Sequence, residues 1–200
     1  SKQDLIYPCV CSRKEIADSS MMGLSGPVYP GTCRGNPASI KKAHALRIRT
    51  HDDLIEFDDI LRGIFSQRLS SDVGDFVLRR ADDIYAYQLA VVVDDAEQNI
   101  SHVVRGADLL DSTPRQIFLQ QLLGYPAPRY LHLPVVTNAL GEKLSKQTNA
   151  APIDLSNALM QLVSALHFLG QKPPVEITEG NISSFWQWAK ENWQAEQIPY

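Results

Sequence analysis

Cysteine is scarce in this 200-residue chain: there are three, Cys9, Cys11 and Cys33, and none after them. An odd, tightly clustered set with no secretory leader argues against a disulfide framework and for metal ligation. Long apolar runs are missing too. Nothing approaches the about 18 apolar residues that a bilayer span needs, and the opening "SKQDLIYPCV" has neither the basic start nor the long apolar stretch of a signal peptide. A cytoplasmic protein without a membrane partner is therefore expected. Positive charge is in deficit, the net charge being -4, so a general nucleic-acid coat is excluded and any contact with RNA must come from a local basic patch. No internal repeat and no low-complexity tract occurs. What is present is ordinary for a globular chain, 44% hydrophobic and 21% charged residues, enough for one large domain with a sizeable core or one domain with an appendage.

The spacing of the thiols carries chemistry. In "YPCVCSRKE" one residue separates Cys9 from Cys11, so an extended or knuckle backbone can turn both toward one ion. In "VYPGTCRG" the turn-forming Pro30 and Gly31 return Cys33 toward the same point. Zinc takes about four ligands, usually sulfur or nitrogen. Three thiolates leave one position, for which Tyr29 and His44 are the candidates.

Residues 19–39, dense in Gly, Pro and Ser, read as a loop-rich insert. "HALRIRT" (44–50) alternates as a half-buried strand does, and Phe76 to Arg79 is a second strand, followed by a turn at Ala81 to Asp83. The run "IYAYQLAVVVDDAEQ" is ambiguous, with its length favouring helix. A short strand follows from Val103 to Arg105. "DSTPRQIFLQQLLGY" carries helix punctuation: Ser112 or Thr113 as N-cap, Pro114 in the first turn and Gly124 after the last apolar position. "RYLHLPVV" is another strand and "TNALGEK" a turn. Leu155, Leu159, Leu162, Leu166 and Leu169 mark an amphipathic helix stopped by Gly170, Pro173 and Pro174. A last helix, near Ser184 to Trp193, carries three tryptophans whose expected role is packing. Strand, helix, strand in this rhythm predicts an α/β fold with a parallel sheet.

Taken in order, "VYPGTCR", the block "AYQLAVVVDDAEQNISHVVRGADLLDSTPRQIFLQQLLGY", "YLHLPVV" and "GEKLSKQ" resemble the class I glutamyl-tRNA synthetases, and more narrowly their short bacterial paralogues, the glutamyl-Q-tRNA(Asp) synthetases. The resemblance runs from Tyr7 to the final helix. It implies ATP-dependent activation of glutamate, with magnesium, and transfer of the glutamyl group to queuosine at the wobble position of aspartate tRNA. By the same resemblance "KLSKQ" is the loop that closes over ATP: Lys146 matches the ATP contact, Lys143 assists, Gly141 gives the turn its freedom and Ser145 donates a hydrogen bond to phosphate or holds the loop. Tyr87 and Arg105 match positions that bind the glutamate substrate, a guanidinium gripping a carboxylate and a phenol adding an oriented hydrogen bond. Read as residues alone, Tyr87 is one more aromatic on a buried helix face and Arg105 an ion-pair partner for Asp108 or Asp111. The metal set implied by the family is Cys9, Cys11, Tyr29 and Cys33, holding a structural zinc.

One family feature is not matched. The His-Ile-Gly-His type signature belongs on a first strand-helix turn ahead of the cysteines, and none of His44, His51, His102, His132 and His167 stands in that context. The expectation is the C-terminal portion of a class I synthetase Rossmann-type parallel sheet domain, without its own activity. Its divisions are a zinc-binding insert at residues 1–43, the second half of the catalytic domain at 44–140, and the KLSKQ loop with a C-terminal helical appendage at 141–200; a monomer is expected. The rival reading is a noncatalytic tRNA-binding or partner-binding module that uses the basic stretch of Arg34, Lys41, Lys42, Arg47 and Arg49.

Overall fold

The structure is a computed structural model, and it describes residues 5–23, 26–35, 43–145, 148 and 150–200. The backbone divides into two compact units: residues 5–59, 63–103 and 109–130 of the described chain, and residues 60–62, 104–108 and 131–200.

The first unit begins with strand β1 (Ile6–Cys9), helix α1 (Arg13–Ser19), and the two-residue strands β2 (Met22–Gly23) and β3 (Gly26–Pro27). Strands β4 (Ala45–Ile48), β5 (Leu54–Asp59) and β6 (Gly63–Arg68) follow, then the single turn α2 (Leu69–Asp72) and strand β7 (Phe76–Arg79). Helices α3 (Tyr87–Glu97) and α4 (Thr113–Leu123) complete this unit, and strands β8 (His102–Gly106) and β9 (Arg129–Leu133) each have residues in both units. One sheet has the order β1-β4-β7 and is antiparallel throughout, with Tyr7 opposite Arg47 and Ile48 opposite Phe76. A second has the order β6-β5-β9-β8, in which β5 and β6 form an antiparallel hairpin and β5 meets β9 in parallel at Asp59 and Tyr130.

The parallel sheet expected from the strand-helix rhythm is thus corrected to a mixed one. The rhythm reports only that helices intervene between strands. It does not report that β1, β4 and β7, far apart in sequence, pair with alternating direction. Helix α4 is the centre of the core: Ile117, Phe118 and Leu119 are buried with Ile48, Ile55, Leu69, Phe76, Leu78, Val92 and Tyr130. Its ends follow the sequence punctuation, with Pro114 in the first turn and Gly124 in the left-handed region at φ 73.

In the second unit, helices α5 (Ala158–Phe168), α6 (Val175–Thr178) and α7 (Ile182–Asn192) pack around Val163, Leu166, Phe185 and Ala189. Gln171 fastens the segment after α5 to the one after α7 by two bonds to Gln194, the side-chain amide donating to the carbonyl at 2.9 Å and accepting from the backbone N–H at 3.0 Å. Of the three tryptophans expected to pack, Trp188 lies against this core and Trp186 meets Phe185 edge-on at 5.3 Å, yet Trp186 and Trp193 are 48% and 44% exposed. With four buried side chains at its centre, a three-helix cluster this small cannot cover three indoles. No helix among the described residues is long and apolar enough to cross a membrane.

Candidate functional site

The thiol cluster is assembled by strand periodicity and two turns. Alternation along β1 puts Tyr7 and Cys9 on one buried face. Ser12 then stops the strand. It caps α1 by accepting from the Glu15 N–H at 3.2 Å, while the Glu15 carboxylate accepts from the Ser12 N–H at 2.7 Å, a reciprocal capping box that turns the chain at Cys11. Tyr29 is drawn in by a bridge to Gly74. Gly31, at φ 79, makes the turn after it, and the Cys33 backbone N–H folds back to donate to the Tyr29 hydroxyl at 2.9 Å.

The result is four donors around one point. The three sulfurs lie within 4.8 Å of one another, Cys11 Sγ and Cys33 Sγ are 3.5 Å apart, and the Tyr29 oxygen is 3.4 Å from Cys9 Sγ and 3.9 Å from Cys11 Sγ. A tetrahedral ion with bonds of about 2.3 Å to sulfur sets its ligands about 3.8 Å apart, so the donor set and its size fit zinc. His44, the other candidate for the fourth position, is not in this group.

The electrostatics suit a cation. Burial alone would raise the Cys9 thiol, but hydrogen bonds from Tyr29 and Arg47, the Cys11 backbone and the Arg47 charge outweigh it and hold Cys9 below the ordinary thiol range. Cys11 is pushed up to about 11 by burial, by its contact with the Cys33 sulfur and by Cys9. Burial and the Cys9 sulfur raise Tyr29 far above the usual phenol range. A bound cation would favour the deprotonated form of each. The scaffold beneath is held by Asp75, whose carboxylate accepts from the Tyr7 hydroxyl at 2.6 Å and from the Thr50 backbone N–H at 2.8 Å.

The remaining sequence-derived site residues fall into the two units. In the first, Tyr87 is the first residue of α3 and is 50% exposed, so it is not an aromatic of a buried helix face. The adjacent Gln88 is tied down, donating to Ser112 Oγ at 3.1 Å and accepting from the buried Gln116 amide at 2.8 Å. In the second unit, Arg105 Nε donates to Nε2 of the fully buried His132 at 3.0 Å, which assigns that imidazole nitrogen as an acceptor. The His132 backbone carbonyl accepts from Arg62 Nε at 3.0 Å. Asp108, one candidate partner for Arg105, is instead bonded to the Lys143 ammonium. Ser145 exchanges bonds with Thr148, the Thr148 hydroxyl accepting from the Ser145 N–H at 2.8 Å. Lys146 lies outside the described residues, as do Lys41 and Lys42.

The three described arginines of the basic stretch in the rival reading are each engaged within the fold. Arg47 is 8% exposed with its guanidinium 3.9 Å from the centre of the Tyr29 ring, Arg34 pairs with Asp75 at 3.3 Å, and Arg49 donates to the Arg34 carbonyl at 2.7 Å.

Sequence reading missed the roles of His132, Asp75 and Gln88, and it weighed Asp108 only as a partner for Arg105. A signal existed for His132: it follows Tyr130 by two in β9, and both point to the buried face.

Comparison with known proteins places this geometry in a family. Residues 34–163 match the model of the tRNA synthetases class I (E and Q), catalytic domain. A protein of Dechloromonas aromatica (strain RCB), named glutamyl-Q tRNA(Asp) synthetase, is 53% identical over 197 residues, covering 98% of this chain and 65% of that relative. A protein of the same name from Verminephrobacter eiseniae (strain EF01-2) is 54% identical over 196 residues, 94% of this chain and 66% of the relative. The chain thus spans a little under two thirds of the length of these relatives. Among solved structures, a glutamate tRNA ligase from Elizabethkingia meningosepticum in complex with its amino acid aligns with a TM-score of 0.69 at 20% identity, covering 98% of this chain and 46% of that one. The chain belongs to the class I tRNA synthetases of the E and Q kind, as part of their catalytic domain.

Proposed function

We propose that the protein carrying this chain activates glutamate with ATP and transfers the glutamyl group to queuosine in the anticodon of tRNA(Asp). The observation that supports this reading most is the identity above 50% to proteins named glutamyl-Q tRNA(Asp) synthetase across nearly the whole chain.

In this reading Arg105 binds a carboxylate of glutamate. A guanidinium whose Nε is held by an acceptor presents its remaining N–H groups in a fixed fork, the arrangement that suits bidentate binding. Tyr87 adds an oriented hydroxyl from the start of α3. Lys146 follows the charge that builds on the triphosphate, Lys143 assists when it leaves Asp108, and Ser145 holds the loop through Thr148. ATP binds with magnesium. A zinc ion held by Cys9, Cys11, Cys33 and Tyr29 is structural, since four protein ligands leave no position for a substrate. The protein works in the cytoplasm.

The test is glutamyl transfer by the full-length protein to tRNA(Asp) with and without queuosine. Transfer to the queuosine form alone, preceded by glutamate-dependent ATP–pyrophosphate exchange that needs no tRNA and is lost in Lys146→Ala, is the expected outcome. Equal transfer to both tRNAs, or exchange indifferent to Lys146→Ala, would refute the reading.

A further inference from the structure

A cavity of about 340 Å³ lies in the first unit, beside the thiol cluster, and three arginines line it: Arg13 from α1, Arg47 from β4 and Arg115 from the first turn of α4. None of the three forms an ion pair with a carboxylate among the described residues. The oxygen atoms that Arg47 and Arg115 bond are uncharged, and Arg47 also faces the Cys9 sulfur. Arg47 donates to the Asp75 backbone carbonyl at 2.7 Å and covers the Tyr29 ring, and Arg115 donates to Ser112 Oγ at 3.2 Å and toward the Asp111 carbonyl at 3.4 Å. The Nε atoms of Arg47 and Arg115 are both buried with no hydrogen-bond partner. A buried unmet donor is expensive, more so on a charged group.

The two carboxylates on the same wall do not relieve this. Asp75 is taken by Tyr7, Thr50 and Arg34, and Asp72 accepts from the Arg68 N–H at 3.0 Å and from Ser71 Oγ at 2.8 Å. Helix direction works against the cations as well. Arg115 sits in the opening turn of an eleven-residue helix that has no acidic residue there, and Arg13 is the first residue of α1, so both lie where the backbone dipole disfavours positive charge. Burial lowers the Arg115 pKa, and the charge of nearby Asp111 only partly offsets it. Local rules broken together at one place are the mark of a site rather than of the core.

We infer that this cavity is a phosphate-binding site, in which a phosphate group pairs with the guanidinium groups of Arg13, Arg47 and Arg115 that line it. Guanidinium geometry suits phosphate, which carries enough oxygens to meet all three. Two sources share that chemistry, a phosphodiester of bound RNA and a free phosphate compound. The inference does not depend on the proposed activity.

Inorganic phosphate titrated into the metal-loaded protein, followed by thermal shift and calorimetry against sodium chloride of matched ionic strength, tests it. The expected result is saturable stabilisation by phosphate and none by chloride, with affinity weakened about 10-fold or more in Arg115→Met, as loss of a charge-assisted bond predicts. Arg13→Gln, an exposed change without consequence for folding, weakens it as well, while Arg80→Gln, which removes only a surface pair with Asp82, leaves it alone. A short RNA that displaces phosphate identifies the phosphodiester source, and one that does not identifies the free compound. No effect of phosphate beyond that of chloride, or binding unchanged in both Arg115→Met and Arg13→Gln, would overturn the inference.

Discussion

Gly74→Ala is the most informative single perturbation of the thiol cluster, because two glycines share its backbone conformation and only one touches the site. Gly74 and Gly124 both have φ 73. A Cβ on Gly124 meets nothing within 4 Å, whereas a Cβ on Gly74 would stand 2.6 Å from the Tyr29 carbonyl oxygen and 2.9 Å from the Tyr29 nitrogen. Either alanine incurs the left-handed strain, about 1–2 kcal/mol. Gly74→Ala must also push backbone away from backbone, which overpacking measurements put at about 1–3 kcal/mol more. Tyr29 cannot yield without loss, since its N–H donates to Val73 O at 3.3 Å and its hydroxyl receives the Cys33 N–H. Chemical denaturation should therefore show Gly124→Ala destabilised by about 1–2 kcal/mol and Gly74→Ala by about 2–5 kcal/mol. A chelator competition should show faster metal loss from Gly74→Ala alone. If the two variants lost equal stability and held metal equally, the contact between Gly74 and Tyr29 would have no energetic meaning and the account of how Tyr29 reaches the cluster would fail.

Two further expectations concern the same cluster. Cys11→Ala should release zinc on purification while Tyr29→Phe weakens it less, because thiolates bind zinc far better than a phenol; elemental analysis showing no zinc in the unaltered protein, or equal loss in both variants, contradicts the ligand assignment. In metal-free protein the Cys11 thiol is raised from 9.0 to about 11. The folded state therefore holds this proton more tightly than the unfolded one, so its contribution is complete below about pH 9 and is lost as pH rises toward 11. Urea titrations at stepped pH should show that decline without metal and not with it, and a metal-free protein whose stability rose across the window would refute the sign.

Much of the fold was legible where a signal is local. Pro114 and Gly124 bound α4 in sequence as they do in space, and the strands over 45–48 and 76–79 keep enough alternation to be read. The β5–β6 hairpin was not read, and its residues show why. Asp59 and Gln67 are 1% exposed while Ile64 is 74% exposed, so the usual rule of polar out and apolar in is broken at these positions, though Ile55 and Glu56 keep it. Helix α1 was missed for a different reason. None of its seven residues is fully buried and only Ile16 packs inward, leaving the Ser12 and Glu15 capping box as the main sign, which a short polar run hides. The clustering of the three thiols was legible because cysteine is rare here and the spacing is local; Lys143 and Arg105 are candidates only through the family resemblance.

What holds those thiols in place is long-range, and that part no spacing could disclose. Cys9 sits on β1, Tyr29 after β3 and Cys33 beyond it, yet all three are referred to one short segment at residues 73–75. Gly74 receives Tyr29 by backbone pairing, and Asp75 anchors β1 through Tyr7, the start of the next loop through Thr50, and the segment after Cys33 through Arg34. A carboxylate buried to 3% exposure at the crossing of three segments is stable only because hydroxyl, backbone N–H and guanidinium partners all meet it. The same crossing explains why Arg47 is buried. Pairing of Tyr7 with Arg47 in the β1–β4 register carries the guanidinium onto the Tyr29 ring, so that one sheet register places both the cation that lowers Cys9 and the wall of the arginine-lined cavity. A slip of β4 by one residue would turn Arg47 to the other face, and with it would go both the cation beside Cys9 and one wall of the cavity.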